Sequence, residues 1–395
     1  MTGTKVRVIS TLGTAQTLAW ASSYYLPAML AVPMARDLGV SPPIVYAAFS
    51  GAMVASAAVG PWAGQAIDRH GGRIVLVNTS LLFALGLALL GLAHGLWTMV
   101  AAWLLLGVAM GAGLYDAAFS CLVRLYGRHA RSAITGITLI AGFASTVGWP
   151  LSAWMESQFG WRGACFGWAA LHVLIGLPLN AWLPKASAMA AVEKPAVVDI
   201  PKTDGGMAAE RRRHAVSTAL LAFVFAATWF ISTAMATHLP QLLQSVGASL
   251  AAAVAIGALI GPAQVAGRVL EFGLLRRIHP LLSARLAALA HPIGVVVLLV
   301  TGPAMASLFA ILHGAGNGIL TIAKGTLPLA LFGAGGYGAR QGWLMMPARV
   351  AQALAPLLFG LALDAWGANA LWLSGGIGLA ACAALMLLRA QPSDR

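Results

Sequence analysis

Apolar residues in this chain run in stretches of about twenty with scarcely a charge inside them, and no other feature narrows the choice of fold so far. Such stretches lie near 8–31, 44–66, 74–93, 96–120, 132–155, 163–183, 215–240, 250–273, 286–302, 305–329, 342–363 and 369–388. A helix needs about 20 residues, at 1.5 Å each, to cross the hydrocarbon core of a bilayer. Barrel strands would be about 9–11 residues of alternating character. A helix also satisfies its own backbone hydrogen bonds, which lipid cannot do. Of the 395 residues, 59% are apolar and 9% charged, against roughly 25% charged in a soluble domain. The pattern predicts an all-α membrane protein with twelve transmembrane helices.

The first stretch follows Lys5 and Arg7 as a signal peptide would. It is too long for one, contains Gln16, Trp20 and Tyr24, and reaches Pro27 without a small-residue cleavage site. It reads as a retained helix. Lys and Arg set the orientation. On this map 19 of the 24 fall in the N-terminus, the even-to-odd loops and the C-terminus, three lie inside spans, and only Arg36 and Arg162 fall on the other side. Both termini are therefore expected in the cytoplasm, with the chain in the cell (inner) membrane. The formal charge of +13 has the same origin. Nucleic acid as a partner would need a soluble basic face, and the pattern offers none. Cys121, Cys165 and Cys382 sit far apart in or beside apolar segments, without disulfide or metal spacing, and read as small packing residues.

One long polar stretch, 184–214, carries Pro184, Lys185, Lys194, Asp199, Asp204, Glu210 and Arg213. It reads as a cytoplasmic linker, partly disordered or holding a short surface helix, between six-helix bundles at 1–183 and 215–395. The two halves repeat. Leu26-Pro27 matches Leu239-Pro240, Gly39-Val40-Ser41 matches Gly247-Ala248-Ser249, Asp68-Arg69 matches Arg276-Arg277, Gly111-Ala112-Gly113 matches Gly314-Ala315-Gly316, and Pro150 matches Pro356, at offsets of 203 to 213. Five matches in order indicate duplication. Parallel repeats are the arrangement of alternating-access transporters, which hold their solute between the halves.

The segment Gly64-Gln65-Ala66-Ile67-Asp68-Arg69-His70-Gly71-Gly72-Arg73 resembles the signature G-x-x-x-D-R-x-G-x-R of the major facilitator superfamily, and it falls where that family places it, between spans two and three. The second-half copy keeps Gly273, Arg276 and Arg277 without the acid. The resemblance implies a major facilitator fold of two pseudo-symmetric bundles, and a gating role for Gly64, Asp68, Arg69, Gly72 and Arg73 in stabilising one access state. Physically, Asp68 at a helix end can offset the positive N-terminus of a neighbouring helix, while the arginines hold cytoplasmic ends or lipid phosphates. From Gly111 through Tyr126, Arg131, Gly136, Gly148 and Pro150 to Gly160-Trp161-Arg162 the chain is similar to the monocarboxylate and oxalate–formate branch. That branch often carries an Asp four residues before the helix-eight Arg, whereas here Gln264 precedes Arg268. The helix-four arginine of many exporters is also absent, with Leu104, Leu105 and Leu106 in its region.

An unpaired charge at a helix centre costs roughly 2.5–3.5 kcal/mol or more, so an ionisable residue within a span is a functional candidate. The map leaves Asp116, Arg268, Glu271, Lys324 and Arg349. Guanidinium groups grip carboxylates and phosphates with two prongs, so three cations against two acids predict a small organic anion as solute, held by Arg268, Arg349 and Lys324. The competing reading is snorkelling to headgroups, or a local pair of Arg268 with Glu271 at i and i+3. Asp116 is either a proton carrier or a carboxylate locked to a cation such as Arg268 or Arg349. Tyr24, Tyr25, Trp149, His238, Asn317 and Gln264 are candidate pathway groups, with Trp20, Tyr115 and Trp229 beside them, although Trp and Tyr also populate interfacial belts. His172 and His291 read as packing groups.

Other classes fit less well. The chain has no G-x-x-x-x-G-K-[ST] loop for ATP, no H-E-x-x-H and no G-x-S-x-G, so an enzyme is not expected and no cofactor or metal is implied. A channel or receptor gains nothing from the repeat. The expected partners are a small-molecule substrate, membrane lipid and protons, with the chain working as a monomer. Efflux of drugs or amphipathic metabolites by proton antiport is the second reading.

Overall fold

The computed structural model describes residues 3–185 and 204–389, and all regular structure among them is helical. The α-helices are α1 (Gly3–Ala21), α2 (Leu26–Asp37), α3 (Pro42–His70), α4 (Gly72–Gly91), α5 (Leu96–Gly113), α6 (Tyr115–Tyr126), α7 (Arg131–Ala141), α8 (Ala144–Leu171), α9 (Leu177–Ala181), α10 (Asp204–Ser245), α11 (Leu250–Ala258), α12 (Ile260–Gly273), α13 (Pro280–Thr301), α14 (Ala306–Phe332), α15 (Tyr337–Trp366) and α16 (Ala370–Leu387). Among the described residues, seven helical runs are long and apolar enough to cross a membrane. The run Leu96–Ala181 spans 86 residues, which at 1.5 Å each would reach about four times across a 30 Å core. It therefore crosses more than once. Gly160 breaks it with φ +69°, a backbone conformation that glycine adopts without a Cβ clash.

The first expected span, 8–31, is not one helix. It is α1 and α2 separated by a turn at 22–25, and neither piece is among the seven apolar runs. The Ser22 and Ser23 hydroxyls donate back to the Leu18 and Ala19 carbonyls at 2.8 and 2.5 Å, and Pro27, within the first turn of α2, has no N–H to give. Of the polar stretch 184–214, residues 186–203 lie outside the described residues. From Asp204 onward the chain is α10, which takes in the last part of that stretch.

The chain separates into two compact units, Met1–Ala190 with Ala334–Met346, and Ala191–Gly333 with Pro347–Arg395. In the first unit α5 lies on α3 with almost no side chain between them. A Cβ on Gly107 would run into the Ala52 carbonyl, and one on Gly111 would come within 2.6 Å of the Ser56 carbonyl oxygen. In the second unit α14 lies on α12 in the same way: Gly314 abuts the Ile260 carbonyl, and Gly318 that of Gln264. Ile260 and Gln264 stand 208 residues after Ala52 and Ser56, and Gly314 and Gly318 stand 207 after Gly107 and Gly111. The pairing of Gly111 with Gly314 expected from sequence is thus corrected by one helical turn. A small residue every four positions looks alike in both registers, and only the contacts separate them.

Three points of the first unit are tied through Arg162. Trp161 Nε1 donates to Asp37 Oδ2 at 3.0 Å, and Arg162 pairs with the same carboxylate. Arg162 also donates to the Ala93 carbonyl at 2.7 Å and stacks on Trp161 at 4.2 Å. This gives Arg162, unusual in lying away from most of the Lys and Arg, a structural role. Its ion pair is half-exposed and worth at most about 1 kcal/mol.

If the glycine contacts set the helix spacing, Gly107→Leu and Gly318→Leu should each lower stability by about 1–3 kcal/mol through overpacking. Gly95→Ala, with nothing within 4 Å of the added carbon, should leave it unchanged. Thermal denaturation of the purified protein in detergent measures both, and three equal midpoints would refute the account.

Candidate functional site

Two groups of polar and aromatic side chains stand out, one in each unit. In the first unit, α3 ends at His70 and the chain turns at Gly71, with φ +87°. The residue that needs glycine for its backbone is therefore Gly71. Gly72, the motif's glycine, is needed for room, because a Cβ there would strike Cys121. That contact also explains why Cys121 is small and buried. Gly64 and Gly60, one turn apart on α3, face Gly338 and Gly342 on α15 so closely that a Cβ on Gly64 would overlap the Gly338 carbonyl. This approach lets Asp68 reach the start of α15. Its two carboxylate oxygens accept from the Gly338 and Ala339 amides at 3.0 and 2.9 Å. Four amides at a helix N-terminus have no partner within the helix, and an anion there also meets the positive end of the helix dipole. Arg69 is exposed and Arg73 half-buried.

Asp116 lies in the first turn of α6, just past the break at Leu114. Its Oδ1 accepts from Gln341 Nε2 on α15 at 3.3 Å, a partner that sequence reasoning did not name. The break leaves the Gly113 carbonyl without a helical donor, and Gln16 of α1 supplies one at 2.7 Å. Around this point the aromatic candidates come together. Trp20 is 5.2 Å from Tyr24, 6.2 Å from Tyr25 and 4.9 Å from Tyr115, and Tyr25 meets Trp149 edge-on at 6.2 Å. Trp149 is 43% exposed, so it closes the cluster without being part of the core.

The second unit holds the cations. Lys324, Arg349, Arg268 and Glu271 are 2%, 3%, 6% and 2% exposed, which excludes snorkelling to headgroups as their explanation. The Lys324 ammonium lies 3.7 Å from the centre of the Trp229 ring, and the Arg349 guanidinium 5.8 Å from it. A desolvated cation over an indole gains roughly 2 kcal/mol, which offsets part of the repulsion between the two cations. Glu271 accepts a hydrogen bond from Ser283 of α13, so its carboxylate is engaged with a neighbouring helix. Asn317 donates to Ser232 at 2.9 Å. Gln264 is half-buried, and its backbone is pressed by Gly318. His238 has a different occupation from the one expected. Its Nε2 shares a 2.8 Å hydrogen bond with the Pro356 carbonyl, and its ring fills the space left by Gly360. His172 bonds Ser22 at 2.7 Å and stacks on Phe83.

The profile of the Major Facilitator Superfamily matches residues 12–323. The chain belongs to the Major Facilitator Superfamily. Multidrug resistance protein MdtH of Shigella flexneri is 32% identical to it over 139 residues, and that of Enterobacter sp. (strain 638) 31% over the same length. Each match takes in 35% of this chain and 34% of the relative, so the chain matches about a third of these proteins' length. The proton:xylose symporter XylE, solved with 6-bromo-6-deoxy-D-glucose, superimposes with a TM-score of 0.72 at 13% identity, covering 96% of this chain and 94% of that one. The human organic anion transporter MFSD10 (TETRAN) superimposes with 0.68 at 18% identity, covering 96% and 99%. At those identities the likeness shows the fold alone, an all-helical major facilitator fold. As a major facilitator, the protein is a multi-pass integral membrane protein. Its bare apolar surface follows, since Leu174, Val300, Leu357 and Leu387, 61% or more exposed, face a solvent as apolar as themselves.

Replacing Gly64 with Ala in this major facilitator should push α15 off the Asp68 carboxylate, and Asp68→Ala should remove the carboxylate itself. Each costs about 0.5–2 kcal/mol of helix capping. The readout is hydrogen exchange at the Gly338 and Ala339 amides, expected to accelerate about tenfold. Unchanged exchange in both variants would mean that the capping contact does not hold the start of α15.

Proposed function

We propose that the protein is a secondary active transporter that moves a small organic anion of the carboxylate type by alternating access, in the manner of the monocarboxylate and oxalate–formate branch. The observation that supports this is the pair of buried cations, Lys324 and Arg349, on one Trp229 ring. Two positive groups held together out of water attract an anion more strongly than either would alone, and the apolar surroundings strengthen that attraction. Arg268, Gln264 and Asn317, on α12 and α14, are proposed to complete the solute's contacts. Twelve crossings in two six-helix bundles, with both termini in the cytoplasm, are part of the same reading. The Asp68 contact with α15 is proposed to hold one access state, and Asp116, hydrogen-bonded to the neutral Gln341 amide, to exchange a proton with the pathway.

Export of drugs by proton antiport is the second reading. Two observations favour it: the 139-residue similarity to a multidrug resistance protein and the Trp20–Tyr24–Tyr25–Tyr115–Trp149 cluster, which suits a flat hydrophobic solute.

Counterflow in proteoliposomes with labelled lactate, formate and oxalate separates the two readings from ethidium as the drug probe. Saturable exchange of a carboxylate is expected. Arg349→Gln and Lys324→Gln should each reduce it about 10- to 100-fold, matching the 1.5–3 kcal/mol of a charged hydrogen bond. Exchange of ethidium and of no carboxylate, or full carboxylate exchange in both variants, would dismiss the anion reading.

A further inference from the structure

A small cavity in the second unit holds a pair of histidines that the reading above does not use. It measures about 20 Å³ and is lined by Thr228, His291, His313, Asn317 and Leu320 among others. A water molecule needs roughly 10–15 Å³ of such space and at least two polar partners. His291, on α13, and His313, on α14, are 7% and 4% exposed and meet Nδ1 to Nδ1 at 3.0 Å. Phe309 lies against both rings. Among the described residues His291 Nε2 has no hydrogen-bond partner.

The contact fixes the protons by arithmetic. Two nitrogens at hydrogen-bonding distance need one hydrogen between them, so one ring carries Nδ1–H and the other accepts. The donor ring then has a bare Nε2, and the acceptor ring carries Nε2–H. One further proton has a place to go, the bare Nε2, and leaves the Nδ1 contact intact. A second would have to land on the accepting Nδ1, breaking that contact and placing two imidazolium rings side by side. The pair is built to hold one proton and refuse the next.

The surroundings leave this site its own electrostatics. Of the residues lining the cavity, only the two imidazoles titrate. α10 contributes Thr228 and Ile231, and α16 contributes Gly378 and Ala381, with the thiol of Cys382 next in sequence. α11 carries no ionisable side chain. On α12, Glu271 is bonded to Ser283, which stands eight residues before His291 on α13, about 12 Å along the helix; Arg268 lies one turn before Glu271. Arg285 of α13 is spent on the Leu385 and Leu388 carbonyls. Lys324 is eleven residues beyond His313, about 16 Å along α14. Eleven residues is close to three whole turns, so His313, Asn317, Leu320 and Lys324 share one face of α14. On α10, Thr228 of the cavity adjoins Trp229 of the cation cluster, and Ser232 bonds Asn317.

We propose that His291 and His313 form a proton-binding site for a single exchangeable proton, linked along this face of α14 to the anion-binding cations Lys324 and Arg349. The linkage rests on the transport reading above; the proton site does not. A proton here makes a cation in an apolar pocket, so its uptake favours any conformation that admits water to the pocket, and bound anion favours retention of the charge.

Nitrogen-15 resonances of imidazole report tautomer and protonation directly. The protein is labelled at histidine, reconstituted in nanodiscs and titrated from pH 8 to pH 4, with and without lactate. Signals assigned through His291→Gln and His313→Gln are expected to show one Nδ1–H and one Nε2–H ring at high pH and the uptake of one proton by the pair. The remaining imidazole in each variant should titrate alone. Two rings that titrate independently, or that stay neutral throughout in both conditions, would overturn the site. In proteoliposomes a gradient of one pH unit can support about tenfold lactate accumulation at one proton per anion, and both Gln variants should hold it below twofold. Accumulation equal to wild type in both would overturn the linkage. Wild-type protein that moves no carboxylate would fail the transport reading instead, with the resonance titration still deciding the proton site.

Discussion

Backbone meets backbone in this protein where a glycine of one helix is pressed against the main chain of another. Lipid gives no hydrophobic reward for pressing two helices together, so association relies on close van der Waals packing at small residues. Gly107 and Gly111 of α5 against α3, Gly314 and Gly318 of α14 against α12, and Gly64 and Gly60 of α3 against α15 are the places where this is done. The reach of Asp68 is a consequence. A carboxylate on a short side chain can accept from the first amides of α15 only if α3 and α15 are already in contact at Gly64 and Gly338. The polar contact is thus conditional on the packing beneath it.

The same dependence governs the cations. Lys324 and Arg349 are almost fully buried, and a charge in such a position must find compensation close at hand. Trp229 supplies part of it with the face of its ring. On α12, Glu271 is engaged by Ser283 of α13.

Much of this was legible in the sequence, for physical reasons. Hydrophobic length is a coarse signal, so the apolar stretches are helical, although 8–31, 96–120, 132–155 and 250–273 are each divided between two helices. The charges inside spans, Asp116, Arg268, Glu271, Lys324 and Arg349, were equally plain, because each is expensive there. What escaped depends on particular hydrogen bonds and contacts, some local and some between helices, that hydrophobic length does not report. The turn between α1 and α2 arises from two serines bonding backward next to Pro27, a local competition that mean hydropathy cannot register. The repeat slipped by one turn because glycines four apart are self-similar. His238 appeared as a pathway group from its repeat position, yet the carbonyl of Pro356, more than a hundred residues away, claims it. His313 went unnoticed although a signal existed, since it falls on the α14 face that carries Asn317 and Lys324.

The two units share their packing and differ in what the packing carries. Near Gly107 and Gly111 the polar content is amides and one acid, Gln16, Gln341 and Asp116, wrapped in tyrosine and tryptophan. Near Gly314 and Gly318 it is cations, imidazoles and Asn317. A duplicated scaffold held by glycine contacts leaves the remaining faces of its helices free to diverge, because the contacts that fix the fold use the backbone and tolerate any side chain pointing elsewhere. Function in such a chain resides in the side chains that the glycine contacts leave unconstrained, and for that reason fold-level likeness at 13% identity says nothing about the cargo.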